Sequence, residues 1–298
     1  MAERKEMNLG HFYNQVVKFG KERDPRGKAN VRSYEDTAIL CGETRTQVKK
    51  IMVGIDIEVG ELLLADKIRK EEGLDLVISH HPEGRAWAAF YQVMQLQVDM
   101  LARVGIARKV AQKLVDERKF EVERKVLPAN HMRSVDAARL LGMPFMCIHT
   151  PADNHVSFFL QRLMDKERPG RVSDIVELLQ EIPEYKDAAR ENAGPRIILG
   201  NPRRPAGKVF LEMTGGTEGP REVFDKFYKA GVRTLVSMHL SEEHFKKVKD
   251  ANLNVVIAGH ISSDTLGLNL LLDRVEQEGR LETIGCSGFN RIRRKNFK

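Results

Sequence analysis

A chain of 298 residues has room for about two domains with buried cores, and its 42% hydrophobic and 31% charged residues exclude a disordered polymer or a bundle of membrane spans. The net charge of +7 permits acidic partners. Nucleic acid is not expected: only 6% of residues are aromatic, none interleave with basic residues to stack bases, and much of the excess charge lies in Arg291, Arg293, Arg294, Lys295 and Lys298, which read as a solvated tail.

The apolar runs, such as that at 268–272, fall far short of a membrane span, and the opening Met1-Ala-Glu-Arg-Lys-Glu lacks a signal-peptide core. Cys41, Cys147 and Cys286 are odd in number and far apart, which excludes a disulfide framework or a Cys-rich zinc site. We expect a cytoplasmic protein without membrane contact.

In chain order, Leu9, Phe12, Val16 and Phe19 recur at helical spacing over 8–21, and a polar stretch follows through Asp24-Pro25-Arg26-Gly27. The apolar run over 49–57 predicts a buried strand. Leu62, Leu63, Ala65 and Ile68, closed by Gly73, predict a helix. Leu74 to Ser79 is a second strand ending at His80-His81-Pro82, so the three elements make a parallel βαβ unit. Residues 86–124 read as one continuous helix, apolar first and then charged. A break at Leu127-Pro128-Ala129-Asn130, a helix over 134–141 and a strand over 144–148 lead into His149-Thr150-Pro151-Ala152-Asp153.

A helix pair flanks Pro169-Gly170, and the punctuated stretch 194–207 is the candidate connection between domains. The alternation then repeats: strands over 208–213, 232–238 and 255–258, helices over 220–230, 242–251 and 263–278. The second and third of these strands end at His239 and at Gly259-His260. The turn from Thr214 to Gly219 lacks the Lys-Ser/Thr ending of a P-loop and reads as a tight strand-to-helix connection. We expect an α/β fold with mixed or mostly parallel sheets flanked by helices. The first domain spans 1–165, with a helical insertion over about 86–135, and the second spans 166–298, with 260–298 returning to the first.

Several histidines fall just past predicted strands: His80 and His81, His149, His239 and His260. In open parallel sheets ligands gather there, beyond the carboxyl ends of the strands. Asp153 follows His149 by four residues and Asp264 follows His260 by four, so each pair can face one way. Histidine and carboxylate without nearby thiolate suit Zn, Mn, Fe, Co or Ni rather than Ca or Mg. Pro82 ends the ladder, so His80 and His81 can turn toward two neighbouring metals.

These runs resemble a known family. Val53-Gly54-Ile55-Asp56 with Asp75-Leu76-Val77-Ile78-Ser79-His80-His81-Pro82, the later His149-Thr150-Pro151-Ala152-Asp153, and Gly259-His260-Ile261-Ser262-Ser263-Asp264 are similar to motifs of the GTP cyclohydrolase I type 2 homologue family, the NGG-interacting-factor-three-like proteins. Glu35 to Gly42 resembles its N-terminal signature loosely. The resemblance implies two related α/β domains, two metal ions in a cleft between them, and a ring-like homo-oligomer, a hexamer. It implies His80, His81, Asp153, His260 and Asp264 as the ligands, with Asp153 bridging. Three departures separate this chain from the pattern. Asp264 stands where the family has Glu, so the second ion is expected to be weaker. Glu83-Gly84-Arg85 replaces apolar residues after Pro82, and the interval from His81 to Asp153 is longer, which reshapes the cleft's rim.

A two-metal site of this composition activates water at neutral pH and stabilises an oxyanion. The expected function is a metal-dependent hydrolase of a nucleotide-like or other phosphate-bearing small molecule. His149, His155, His239 and His244 are its candidate proton-transfer or supporting groups. A non-catalytic oligomeric metal-binding or interaction protein is the alternative.

Overall fold

The computed structural model describes residues 7–27 and 31–294. The first half runs α1 (Leu9–Glu22), β1 (Ala38–Cys41), β2 (Lys50–Gly54), α2 (Val59–Glu72), β3 (Leu76–Ser79), α3 (Gly84–Ala89), α4 (Leu96–Arg103), α5 (Arg108–Val126), α6 (Arg133–Leu141) and β4 (Phe145–Cys147). The second runs α7 (Thr150–Glu167), α8 (Val172–Gln180), α9 (Pro183–Arg190), β5 (Arg196–Leu199), β6 (Lys208–Glu212), α10 (Phe224–Lys229), β7 (Val232–Ser237), α11 (Glu242–Asp250), β8 (Asn254–Ile257), α12 (His260–Val275) and β9 (Glu282–Cys286).

Two mixed sheets result, one in the order β1-β4-β3-β2-β9 and the other β5-β8-β7-β6. Only the edge strands β1 and β5 run antiparallel to their neighbours. The inner strands are apolar on both sides because helices cover both faces. In β2, Ile51 and Val53 face one cluster with Leu268, Leu271 and Leu272 of α12. Met52, between them, faces α2 and α6 through Leu62, Ala65 and Ala138. Leu266 and Leu270, on another side of α12, pack with Val156, Val236 and Val256 against the second sheet. The apolar run at 268–272 thus belongs to a helix buried from several directions. Gly267 lets α12 approach α7, since a Cβ there would stand 2.5 Å from the Ala152 carbonyl oxygen. Among the described residues no helix is long and apolar enough to cross a membrane.

Three expectations change. The helix read over 86–124 is broken by a 3-10 segment over Phe90–Gln95 and again after α4, where Gly105 takes a φ of 107°. Its apolar half is buried within the chain: Met94, Leu96, Val98 and Leu101 pack with Phe210, Leu235 and Val255 of the second sheet. The stretch 194–207 contains β5, an edge strand whose residues alternate between exposed and half-buried. The basic tail is docked rather than solvated as far as it is described. Arg291 donates to Asp273 at 2.6 Å and Arg293 to Glu276 at 2.9 Å, while Arg294 pairs with Glu184, because α9 and α12 offer carboxylates there. Lys295 and Lys298 lie outside the described residues.

Candidate metal centre

The strand ends deliver the histidines. His80 and His81 continue past β3, their amides donating to the Gly54 and Ile55 carbonyls at 2.9 Å each. Ser79 folds its hydroxyl back onto the His81 carbonyl at 2.7 Å, which turns the chain as Pro82 ends the ladder. His149 caps α7 and His260 opens α12, so Asp153 and Asp264 stand one turn further along, facing their histidines.

All five ligands implied by the resemblance come together. His80 Nε2 lies 3.5 Å from Asp153 Oδ1 and 3.4 Å from Asp264 Oδ1. His81 Nε2, His260 Nε2 and Asp264 Oδ2 form a triangle with edges of 3.4, 3.4 and 3.5 Å. Such spacings are long for hydrogen bonds. They match donors around one ion, because metal–ligand bonds of about 2.0–2.2 Å in a tetrahedral arrangement separate the donors by roughly 3.4 Å. His80, His149 and Asp153 form a second group whose ligand atoms could hold an ion, and His80, His81 and Asp264 a third combination. Asp264 therefore reaches His80, His81 and His260, whereas Asp153, the bridge implied by the resemblance, contacts His80 and His149.

Three of the rings, those of His80, His81 and His149, are oriented from behind. His80 Nδ1 donates to the Ile148 carbonyl at 2.9 Å, His81 Nδ1 to Asp56 at 2.6 Å and His149 Nδ1 to Asp36 at 2.8 Å. These bonds leave Nε2 as the unprotonated donor when the rings are neutral, the arrangement found behind metal-bound histidines. Asp36 is itself held by the Thr150 hydroxyl at 2.6 Å. His80 Nε2, Asp153 Oδ1 and Asp264 Oδ2 are buried with no hydrogen-bond partner among the described residues. Three such atoms converging at one place is a costly arrangement that a cation would relieve.

The charges support one another. Burial alone would lower His81 and His149, but Asp264 and Asp56 around the first, and Asp153 and Asp36 around the second, hold them up at about 10 and about 9. Burial raises Asp153 to about 6 against the pull of His149 and His80. Burial would raise Asp264 too, yet His80, His81 and His260 hold it well below the carboxylate range. Burial lowers His260 to about 4.

Of the supporting histidines, His149 stands with His80 and Asp153 in the group whose ligand atoms could hold an ion. His239 lies across from His260 with ring centroids 4.8 Å apart, and Glu218 raises its pKa. His155 and His244 are placed elsewhere. His155 donates to the Pro151 carbonyl at 2.7 Å and burial lowers it to about 3. His244 donates to the Gly219 carbonyl at 2.8 Å and fixes the glycine turn. Neither lines the two cavities at the donors, one of about 40 Å³ bounded by Glu212, Glu218 and His239, the other of about 510 Å³ opening past His81 and Trp87. Asp36 and Asp56 lie in runs that carry the resemblance, but, as with Glu212 and Glu218, nothing local marked them as partners of the histidines. His149 and Asp36, for example, lie 113 residues apart.

No protein-family model and no curated protein matches the chain. Solved structures similar to it include a NIF3 superfamily protein from Sphaerobacter thermophilus, 28% identical over 92% of this chain and 98% of that one, with a TM-score of 0.77. Reduced HcgD from Methanocaldococcus jannaschii is 14% identical over 95% and 99%, with a TM-score of 0.56. A Thermus thermophilus protein is 14% identical over 94% and 97%, with a TM-score of 0.51. The two more distant structures share the fold. The donor set fits a metal-binding protein, and the likeness to the first structure along nearly its whole length supports the NIF3-like family.

Proposed function

We propose that the cleft holds two divalent transition-metal ions and that the protein is a metal-dependent hydrolase of a phosphate-bearing, nucleotide-like small molecule. The triangle of His81, His260 and Asp264 at 3.4–3.5 Å carries this reading, and it is the natural seat of one ion. His80, His149 and Asp153 would hold the other, with Asp264 spanning both. When bound, such ions supply Lewis acidity and acidify water. The chain's own part is to orient the donors: Asp36 and Asp56 fix His149 and His81, and the Ile148 carbonyl fixes His80. Glu218 and His239 line the wall facing them and can hold or pass a proton.

The test is elemental analysis of protein purified without added metal, followed by phosphate release from nucleoside monophosphates with Mn²⁺ or Zn²⁺ added. The expected result is bound transition metal and turnover that chelation abolishes. Tightly bound metal with no turnover on any phosphate ester would favour the non-catalytic metal-binding reading instead. We extend the proposal to a homo-oligomer, hexameric as the family resemblance implies. Leu63, Leu64 and Leu140 on α2 and α6 are 57%, 49% and 78% exposed, more apolar surface than those helices need in water. Light scattering that reports a monomer at micromolar concentration would end that extension.

A further inference from the structure

The larger cavity has a wall that the metal donors do not use. Its volume of about 510 Å³ lies within the range of small-molecule sites. On one side stand His81, His149 and His260; on another stand Trp87 and Phe90, carried by α3 and the 3-10 segment after it. Trp87 is the chain's single tryptophan. It is half-buried, and Phe90 stacks on it with ring centroids 5.2 Å apart and planes 15° from parallel. Phe90 is itself anchored in the core beneath the second sheet. It also approaches Gly216 closely, where a Cβ would stand 3.5 Å from its ring. One face of the indole is thus covered by a fixed neighbour, and a guest in the cavity meets what Phe90 leaves. Polar groups complete this end: Glu83 and Asn130 line the same cavity.

An aromatic face with hydrogen-bonding groups at its margin is the arrangement that seats a flat, polar-edged ring. A bare phosphate gains little from an indole held this way, whereas every heteroaromatic base has a π face to offer. We propose that Trp87 is a specificity-determining residue: the cleft's ligand carries a planar heteroaromatic ring of purine size. The ring lies against Trp87 with its edge toward Glu83 and Asn130, and the remainder of the ligand extends to the histidine wall. This rests on the hydrolase reading for the metal end of the ligand and narrows it at the other end. The sequence placed α3 in a segment longer than the family pattern, so this wall belongs to the insertion.

The lone tryptophan makes the test direct. Metal-loaded protein is titrated with AMP, GMP and ribose 5-phosphate while Trp87 fluorescence and calorimetric heat are followed. The nucleotides should quench the emission and bind at least about tenfold more tightly than ribose 5-phosphate, the scale on which one base stack contributes. Trp87→Ala should lose about tenfold in AMP affinity with metal content unchanged, and Trp87→Phe should recover most of it. Equal binding of AMP and ribose 5-phosphate by the unaltered protein overturns the proposal without any variant. So does an unchanged AMP affinity in a folded Trp87→Ala protein. Phosphate release from ribose 5-phosphate without preference for a ring would leave the hydrolase standing and remove the ring seat. Ring-dependent quenching without turnover on any phosphate would do the reverse.

Discussion

Read from its antiparallel edge, the first sheet runs β1-β4-β3-β2 and the second runs β5-β8-β7-β6, the same path traced twice. The likeness continues into the site. Ser79 and Ser237 end equivalent strands, and each hydroxyl donates to the carbonyl two residues on, His81 and His239, at 2.7 Å. Ile148 donates to the Ser79 carbonyl and Ala258 to the Ser237 carbonyl, both at 2.9 Å. β4 runs into His149 and Asp153 as β8 runs into His260 and Asp264. The halves differ in what they mount on those points. His80 on one side answers to Met238 on the other, and Gly54, paired with Ser79, answers to Glu212, paired with Ser237. Glu212 accepts from Gly219 at 2.9 Å and forms, with Glu218, a carboxylate wall instead of a second histidine pair. A repeated backbone thus delivers side chains to matched places, while residue choice makes one half donor-rich and the other the facing wall.

The largest expected effect separates the two equivalent aspartates. Asp264 touches three histidines and Asp153 two. Asparagine keeps the volume of each but removes the charge. We expect Asp264→Asn to lose both ions on dialysis and Asp153→Asn to lose the one held with His80 and His149, as elemental analysis would read. Equal losses would mean that the aspartates are equivalent in function as well as position.

A smaller effect distinguishes the carboxylates behind the rings. Asp36 is fully buried and fixed by Thr150, whereas the Asp56 side chain is 58% exposed. Removing such a partner costs on the order of 10–100-fold in metal affinity. We expect Asp36→Asn near the upper end and Asp56→Asn near the lower, measured by competition with a chelating dye. The reverse order would show that burial does not govern how firmly a ring is held.

The sequence showed the parts that local pattern determines. The inner strands were legible because burial on both faces makes them short apolar runs, and the convergence of His80, His81, Asp153, His260 and Asp264 because strand ends and helix starts are marked by Pro82, Pro151 and Gly259. The edge strands β1, β5 and β9 were missed, being short and only partly buried, so their few apolar residues do not stand out from the chain around them. Asp36 and Asp56 were invisible as supports because their partners are distant in the chain. The docking of Arg291 could not be read from a run of basic residues, since Asp273 and Glu276 decide it through the face of α12 they occupy.

The finest test concerns the length of one side chain. Both helix starts carry aspartate, although the resemblance puts glutamate at the position of Asp264. An added methylene extends the carboxylate by roughly 1.5 Å. The oxygens of Asp264 already stand 3.4–3.5 Å from three Nε2 atoms, and the residue is only 1% exposed, so the extra length has nowhere to go except into the donors' own space. Metal–oxygen bonds tolerate only about ±0.2 Å. We therefore expect Asp264→Glu to weaken the ion held with His81 and His260, on the order of tenfold, the lower end of what a misplaced ligand support costs. The ion held with His80, His149 and Asp153 should change less, because Asp264 is only one of its neighbours. Zinc titration by calorimetry would show two similar sites becoming unequal. A second site that is weak in the parent and tightens in the variant would show that Asp264 is too short after all, and that the two helix starts are matched in backbone but not in reach.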